Sequence, residues 1–66
     1  MSVGTNIRAW RKRNKVYQWK LAHDADVHVM TLSRIENGKT ENPDLRTLQR
    51  LANAMGVELK EVLGDE

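Results

Sequence analysis

Apolar residues recur along the chain at intervals of three and four and almost nowhere at a strict two, so the pattern predicts helices throughout. Five short helices can be laid on it. The first runs from about Thr5 to Arg13 with Ile7 and Trp10 on one face, and Asn14, which tolerates positive φ, is the expected left-handed stop. The second begins near Gln18 and carries Leu21, Ala22 and Ala25; Asp26 breaks it, and Val27 turns back toward the core. The third spans about Val29 to Asn37 and is closed by Gly38. A loop follows through Lys39, Thr40, Glu41, Asn42 and Pro43, because proline excludes helix at the residue before it. Asp44 caps a fourth helix, whose Leu45, Leu48, Leu51, Ala52 and Met55 make one stripe ended by Gly56. Val57, Leu59, Val62 and Leu63 supply a short fifth helix, beyond which Gly64, Asp65 and Glu66 are expected to fray.

Length and composition narrow the picture. At 66 residues the chain is one domain, 1–66, with no linker or repeat, and it can bury only about 60% of its unfolded surface. The absence of cysteine excludes a disulfide-stapled scaffold. No apolar run approaches the roughly 18 to 20 residues of a membrane helix, and Met1 to Ile7 lacks the apolar stretch of a signal peptide, so a cytoplasmic protein is expected. No Ser/His/Asp set, glycine-rich phosphate loop or paired catalytic carboxylates can be assembled, and the expectation is a non-enzyme without a cofactor. His23, Asp24, Asp26 and His28 have metal-ligand chemistry, but a turn separates the two histidines and no metal site is expected. Charge is unevenly placed: residues 1–23 carry Arg8, Arg11, Lys12, Arg13, Lys15 and Lys20 with no acid, a net +6, while the remainder sums to −4. A like-signed first third suits a polyanion or a solvated helix.

The segment from Gln18 to Gly38 holds two helices of about two turns joined by a tight turn, which is helix-turn-helix spacing. Together with Ile7-Arg8, Arg11, Gln18, Leu21-Ala22, Val27, Leu32 through Lys39 (LSRIENGK), Pro43, Leu45, Leu48 and Leu51-Ala52, it makes the chain similar to the phage repressor and Cro-like helix-turn-helix family from Ile7 to Leu63. The resemblance implies an all-α, five-helix lambda-repressor-like domain that puts its third helix in the major groove of double-stranded DNA.

Leu32 and Ile35 face the core, so Val29, Met30, Ser33, Arg34 and Asn37 point outward. By the resemblance, Val29, Met30, Ser33 and Arg34 are the base readers. Apolar groups suit thymine methyls, and arginine suits guanine O6 and N7. The resemblance also implies phosphate contacts from Arg11, Gln18, Asn37, Lys39 and Thr40, and a structural ion pair between Arg11 and Glu36. A homodimer is expected, because one short helix reads too few base pairs. Val57, Leu59, Val62 and Leu63 are the expected interface, being more apolar than one face of a two-turn helix needs. The chain departs from the family in three places. Asp26 stands where relatives have glycine; Tyr17 and His28 replace preferred helix caps, each at about 1 kcal/mol; and Glu41 and Asp44 put acid in a loop that is often basic. Trp10 is expected to pack in the core. Trp19 lies against DNA sugars, on Arg or Lys stems, or on a partner subunit. The functional expectation is a sequence-specific transcriptional regulator, a repressor or controller dimeric on a palindromic operator. The alternative is a protein-interaction module such as a toxin-neutralising antitoxin.

Overall fold

The computed structural model describes residues 2–40 and 43–64, so Met1, Glu41, Asn42, Asp65 and Glu66 lie outside the described residues. Its helices are α1 (Val3–Arg13), α2 (Gln18–Asp24), α3 (Val29–Glu36), α4 (Leu45–Met55) and α5 (Leu59–Leu63). Among the described residues there is no strand.

Four of the helices stop in the same way, and the stop decides how the chain folds back. In each, a residue with left-handed φ lets two successive N–H groups return to carbonyls of the last turn, the Schellman arrangement. Lys15 (φ 57°) and Val16 donate to Lys12 and Arg11; Asp26 (φ 58°) and Val27 to His23 and Ala22. Gly38 and Lys39 donate to Ile35 and Arg34, and Gly56 and Val57 to Asn53 and Ala52. The residue after the left-handed one is a valine three times, and Val16, Val27 and Val57 all pack against the core. The left-handed stop of α1 is therefore Lys15 and not Asn14. Asn14 sits at φ −95°, with its side-chain amide donating to the Trp10 carbonyl at 2.8 Å. Asp26 does close α2, and Gly38 and Gly56 close α3 and α4.

Helix starts show a second set of differences. α1 begins at Val3, two residues before the expected Thr5, because the Ser2 hydroxyl accepts the Thr5 N–H at 3.1 Å. Asp44 caps α4 by accepting the Arg46 N–H at 3.0 Å. Gly64 does not fray; it is a left-handed cap whose N–H returns to the Lys60 carbonyl.

The core is Ile7 from α1; Leu21, Ala22 and Ala25 from α2 and its end; Leu32 and Ile35 from α3; Leu48, Leu51, Ala52 and Met55 from α4; and Val62 from α5. Leu45, expected in the α4 stripe, is exposed. It stands on the first turn, ahead of the Leu48–Met55 stretch that carries the helix's buried residues. Trp10 packs against the core as expected. α5 is held from the far end of the chain, where the Asn6 side-chain amide donates to the Val62 carbonyl at 3.0 Å.

Candidate nucleic-acid interface

α2, the turn at Asp26 and α3 form the part of the surface that carries the sequence-level candidates. α3 has a sharply divided character: Leu32 and Ile35 are sealed in the core, while Val29 is 37% and Met30 52% exposed, and Arg34 and Asn37 are exposed beside a half-buried Ser33. Two apolar side chains and an arginine thus stand together on the open face. Among the described residues the ion pairs are Arg11–Glu36, Lys20–Asp24 and Lys60–Glu58, and Arg34 belongs to none of them. Asn37 donates to the Ser33 hydroxyl at 3.3 Å, linking two outward residues one turn apart.

His28 begins this helix and corrects the expectation that it is a poor cap. Its Nδ1 accepts the Met30 N–H at 3.1 Å, so the imidazole does here what a serine or threonine oxygen does elsewhere. The bond requires the tautomer with its proton on Nε2. Tyr17, at the corresponding place before α2, makes no side-chain cap bond.

Behind α3 lies a buried polar junction. Glu36 has a side chain only 2% exposed and receives Arg11 in a two-pronged pair, Nε to Oε2 at 2.9 Å and Nη2 to Oε1 at 2.8 Å. The third guanidinium nitrogen, Nη1, donates to the Val16 carbonyl at 3.1 Å. Gln18 adds its amide to Glu36 Oε1 at 3.3 Å. The Glu36 carboxylate thus ties α3 to α1 and α2, Arg11 extends the junction to the α1–α2 turn, and among the described residues no buried side-chain polar atom lacks a partner. The hydrogen bond to Glu36 raises the Arg11 pKa above the ordinary guanidinium value, against the opposing effect of burial. That stabilisation is fully present below the ordinary value and lost only as pH rises past the raised one, so Arg11 adds no pH dependence near neutrality.

The remaining candidates divide by exposure. Lys39 is exposed after the Gly38 turn, and Thr40 is half-buried in a cleft with Ser2, Gly4 and Pro43. In α5, Val62 is 1% exposed and belongs to the core, which removes it from the expected dimer surface. Val57 and Leu59 also pack against the core, leaving Leu63 as the exposed apolar residue of that set. The apolar excess read from the sequence is mostly consumed in closing the domain. Among the described residues no group of three or more His, Asp and Glu side chains is placed to hold a metal, and no helix is long and apolar enough to cross a membrane.

Sequence reasoning missed three contributors. Gly4 packs where no side chain fits, Gln18 turns inward to Glu36, and His28 serves as a cap. Only Ser2, a preferred cap with Thr5 three residues on, announced that α1 reaches back to Gly4.

Two short helices joined by a left-handed turn, the second with a buried back and an open mixed face, define a helix-turn-helix domain. The family profile described as "Helix-turn-helix" matches residues 7–62, and the chain belongs to that family, in its phage repressor and Cro-like branch. It is 38% identical over all 66 residues to the immunity repressor protein of Bacillus phage phi105, and spans 45% of that protein's length. Among solved structures it is similar to SinR, a master regulator for biofilm formation, in complex with DNA (TM-score 0.85, 27% identity, 91% of this chain and 95% of that one). It is also similar to the P22 c2 repressor in complex with a synthetic operator (TM-score 0.86, 29% identity, 100% and 98% covered).

Proposed function

We propose that this domain is a cytoplasmic, sequence-specific double-stranded DNA-binding module of a transcriptional regulator, a repressor or controller that acts as a dimer on a palindromic operator. The observation that carries the reading is the face of α3: Val29, Met30 and Arg34 project together from a helix whose opposite side is locked by Leu32, Ile35 and Glu36. Val29 and Met30 are assigned to thymine methyls, Arg34 to guanine O6 and N7, and Ser33 to a base edge. Asn37, Lys39 and Thr40 flank them as backbone contacts. Arg11 and Gln18 serve chiefly by fixing α3 through Glu36, with their remaining N–H groups available to phosphate. The P22 c2 repressor with a synthetic operator and SinR with DNA, similar in fold to this chain, support the DNA-binding reading. Leu63 supplies the apolar contact of the dimer.

The test is binding to random-sequence duplex and to sequences selected from it, over a salt series. Cation contacts to phosphate release counterions, so affinity is expected to fall steeply and linearly on a log–log plot. A flat response, or no binding at low salt, overturns the reading. Sedimentation at high micromolar concentration, free and on a palindromic site, tests the dimer. A monomer in both conditions refutes it.

A further inference from the structure

Two large aromatic side chains lie open to solvent beside this interface, and neither belongs to the recognition face. Tyr17 is 72% and Trp19 61% exposed, and their rings stack with centroids 6.3 Å apart and planes 11° from parallel. Two stacked rings left open side by side form a contiguous apolar surface, which makes them a candidate contact. We propose that the Tyr17–Trp19 stack is a plate that receives the sugar-phosphate backbone of duplex DNA, outside the base pairs read by α3; this rests on the DNA-binding reading.

Three observations fix the occupant. The plate is mounted on rigid backbone: the Val16 carbonyl just before it is held by Arg11 Nη1, and Gln18 between the two rings is tied to Glu36 of α3. A contact made there keeps a set register to the recognition helix. The stretch of chain that carries it is cationic, since residues 1–23 contain no acid and Lys12, Arg13 and Lys15 just before it are exposed; the acids bonded to this stretch are themselves paired, Glu36 with Arg11 and Asp24 with Lys20. That field draws an anionic partner. A second copy of the chain set against the same patch by a two-fold axis would instead bring like charges together. The chemistry of the plate also matches: ring faces suit the C–H faces of deoxyribose, while the Tyr17 hydroxyl and Trp19 Nε1 are donors for phosphate oxygens. Among the described residues neither donor makes a hydrogen bond within the domain.

The test uses the fact that the chain has two tryptophans. In Trp10→Phe, Trp19 is the sole indole emitter, and its emission is expected to change in step with duplex binding followed independently by anisotropy of end-labelled DNA. Because Trp10 touches the core, the measurement is paired with unmodified protein against Trp19→Phe, whose difference signal reports Trp19 without disturbing Trp10. The Tyr17→Ala/Trp19→Ala variant, checked for an unchanged melting transition, is expected to bind every duplex about tenfold more weakly, or 1.4 kcal/mol. Base preference is expected to stay the same, and so is the slope of affinity against salt, because no cation is removed. Duplex bound with silent Trp19 and undiminished affinity of the double variant overturns the plate and leaves the DNA-binding reading standing. A Trp19 signal that follows self-association without DNA assigns the stack to a second copy and overturns it as well. Failure of the unmodified protein to bind any duplex overturns both.

Discussion

At Gly4 the backbone of α1 rests directly on the Ile35 carbonyl of α3, with no space for a methyl group between them. A Cβ there would also crowd the Ile35 carbonyl carbon and the Glu36 Cα, all of it backbone that cannot swing aside. Gly4 is thus the residue that lets α1 approach α3 closely enough for Arg11, two turns on, to reach Glu36.

Gly4→Ala should therefore destabilise the domain by about 1 to 3 kcal/mol, although in an open helix the same change would stabilise by roughly 0.5 to 1 kcal/mol. Thermal or denaturant unfolding reads the sign. A stabilised variant would show that α1 shifts away from α3 at no cost.

The Arg11–Glu36 pair should couple in a double-mutant cycle. Removing either partner leaves a buried charge alone and is expected to cost about 3 to 5 kcal/mol. The double replacement Arg11→Met/Glu36→Leu should recover most of that loss, because it leaves neither charge behind. Losses that simply add would mean that the two groups do not act on each other.

His28→Ala should lower stability by about 0.5 to 2 kcal/mol, whereas His28→Ser, which restores an oxygen acceptor for the Met30 N–H, should stay within a few tenths of the parent. Equal effects of the two substitutions would show that the imidazole does not serve as the cap.

Under the proposed function, Arg34→Ala should weaken binding to the preferred site by about 1 to 3 kcal/mol and flatten preference at one base pair, while Lys39→Ala should weaken all sequences alike. Replacing thymine by uracil across the half-site removes only methyl groups and isolates Val29 and Met30. Affinity that is indifferent to uracil would remove these two residues from base reading.

The order and number of the helices were legible because the apolar spacing is regular and each stop is marked by a residue suited to left-handed backbone or to capping. What the pattern misplaced depends on contacts between elements. Asn14 has the higher intrinsic tolerance for positive φ, yet the return of the Val16 N–H to Arg11 and the burial of Val16 put that conformation on Lys15. Leu45 matches the α4 stripe in spacing, but no spacing rule says where a neighbouring helix ends. Val62 looked spare because a two-turn helix needs little apolar surface, and only assembly shows that the core takes it whole. At the candidate site, residue types marked α3 by resemblance, whereas the inward turn of Gln18 and the service of His28 as a cap are matters of a single rotamer and left no periodic trace.

The hydrogen bond from Asn6 to the Val62 carbonyl joins positions 56 residues apart, and Val62 is itself part of the core. A chain still being made on the ribosome has α1, α2, α3 and α4 in hand before it has the residue that seals them; α1 can already meet α3 through Gly4 and Arg11, but its Asn6 amide waits for the Val62 carbonyl until nearly the whole domain has been translated. The helix-turn-helix segment can form early from local contacts, since its two helices adjoin in sequence. Completion is set at the other end, so a product that stops within α5 carries α2 and α3 complete but leaves the core open where Val62 would close it, and is expected to be cut by protease faster than the whole domain.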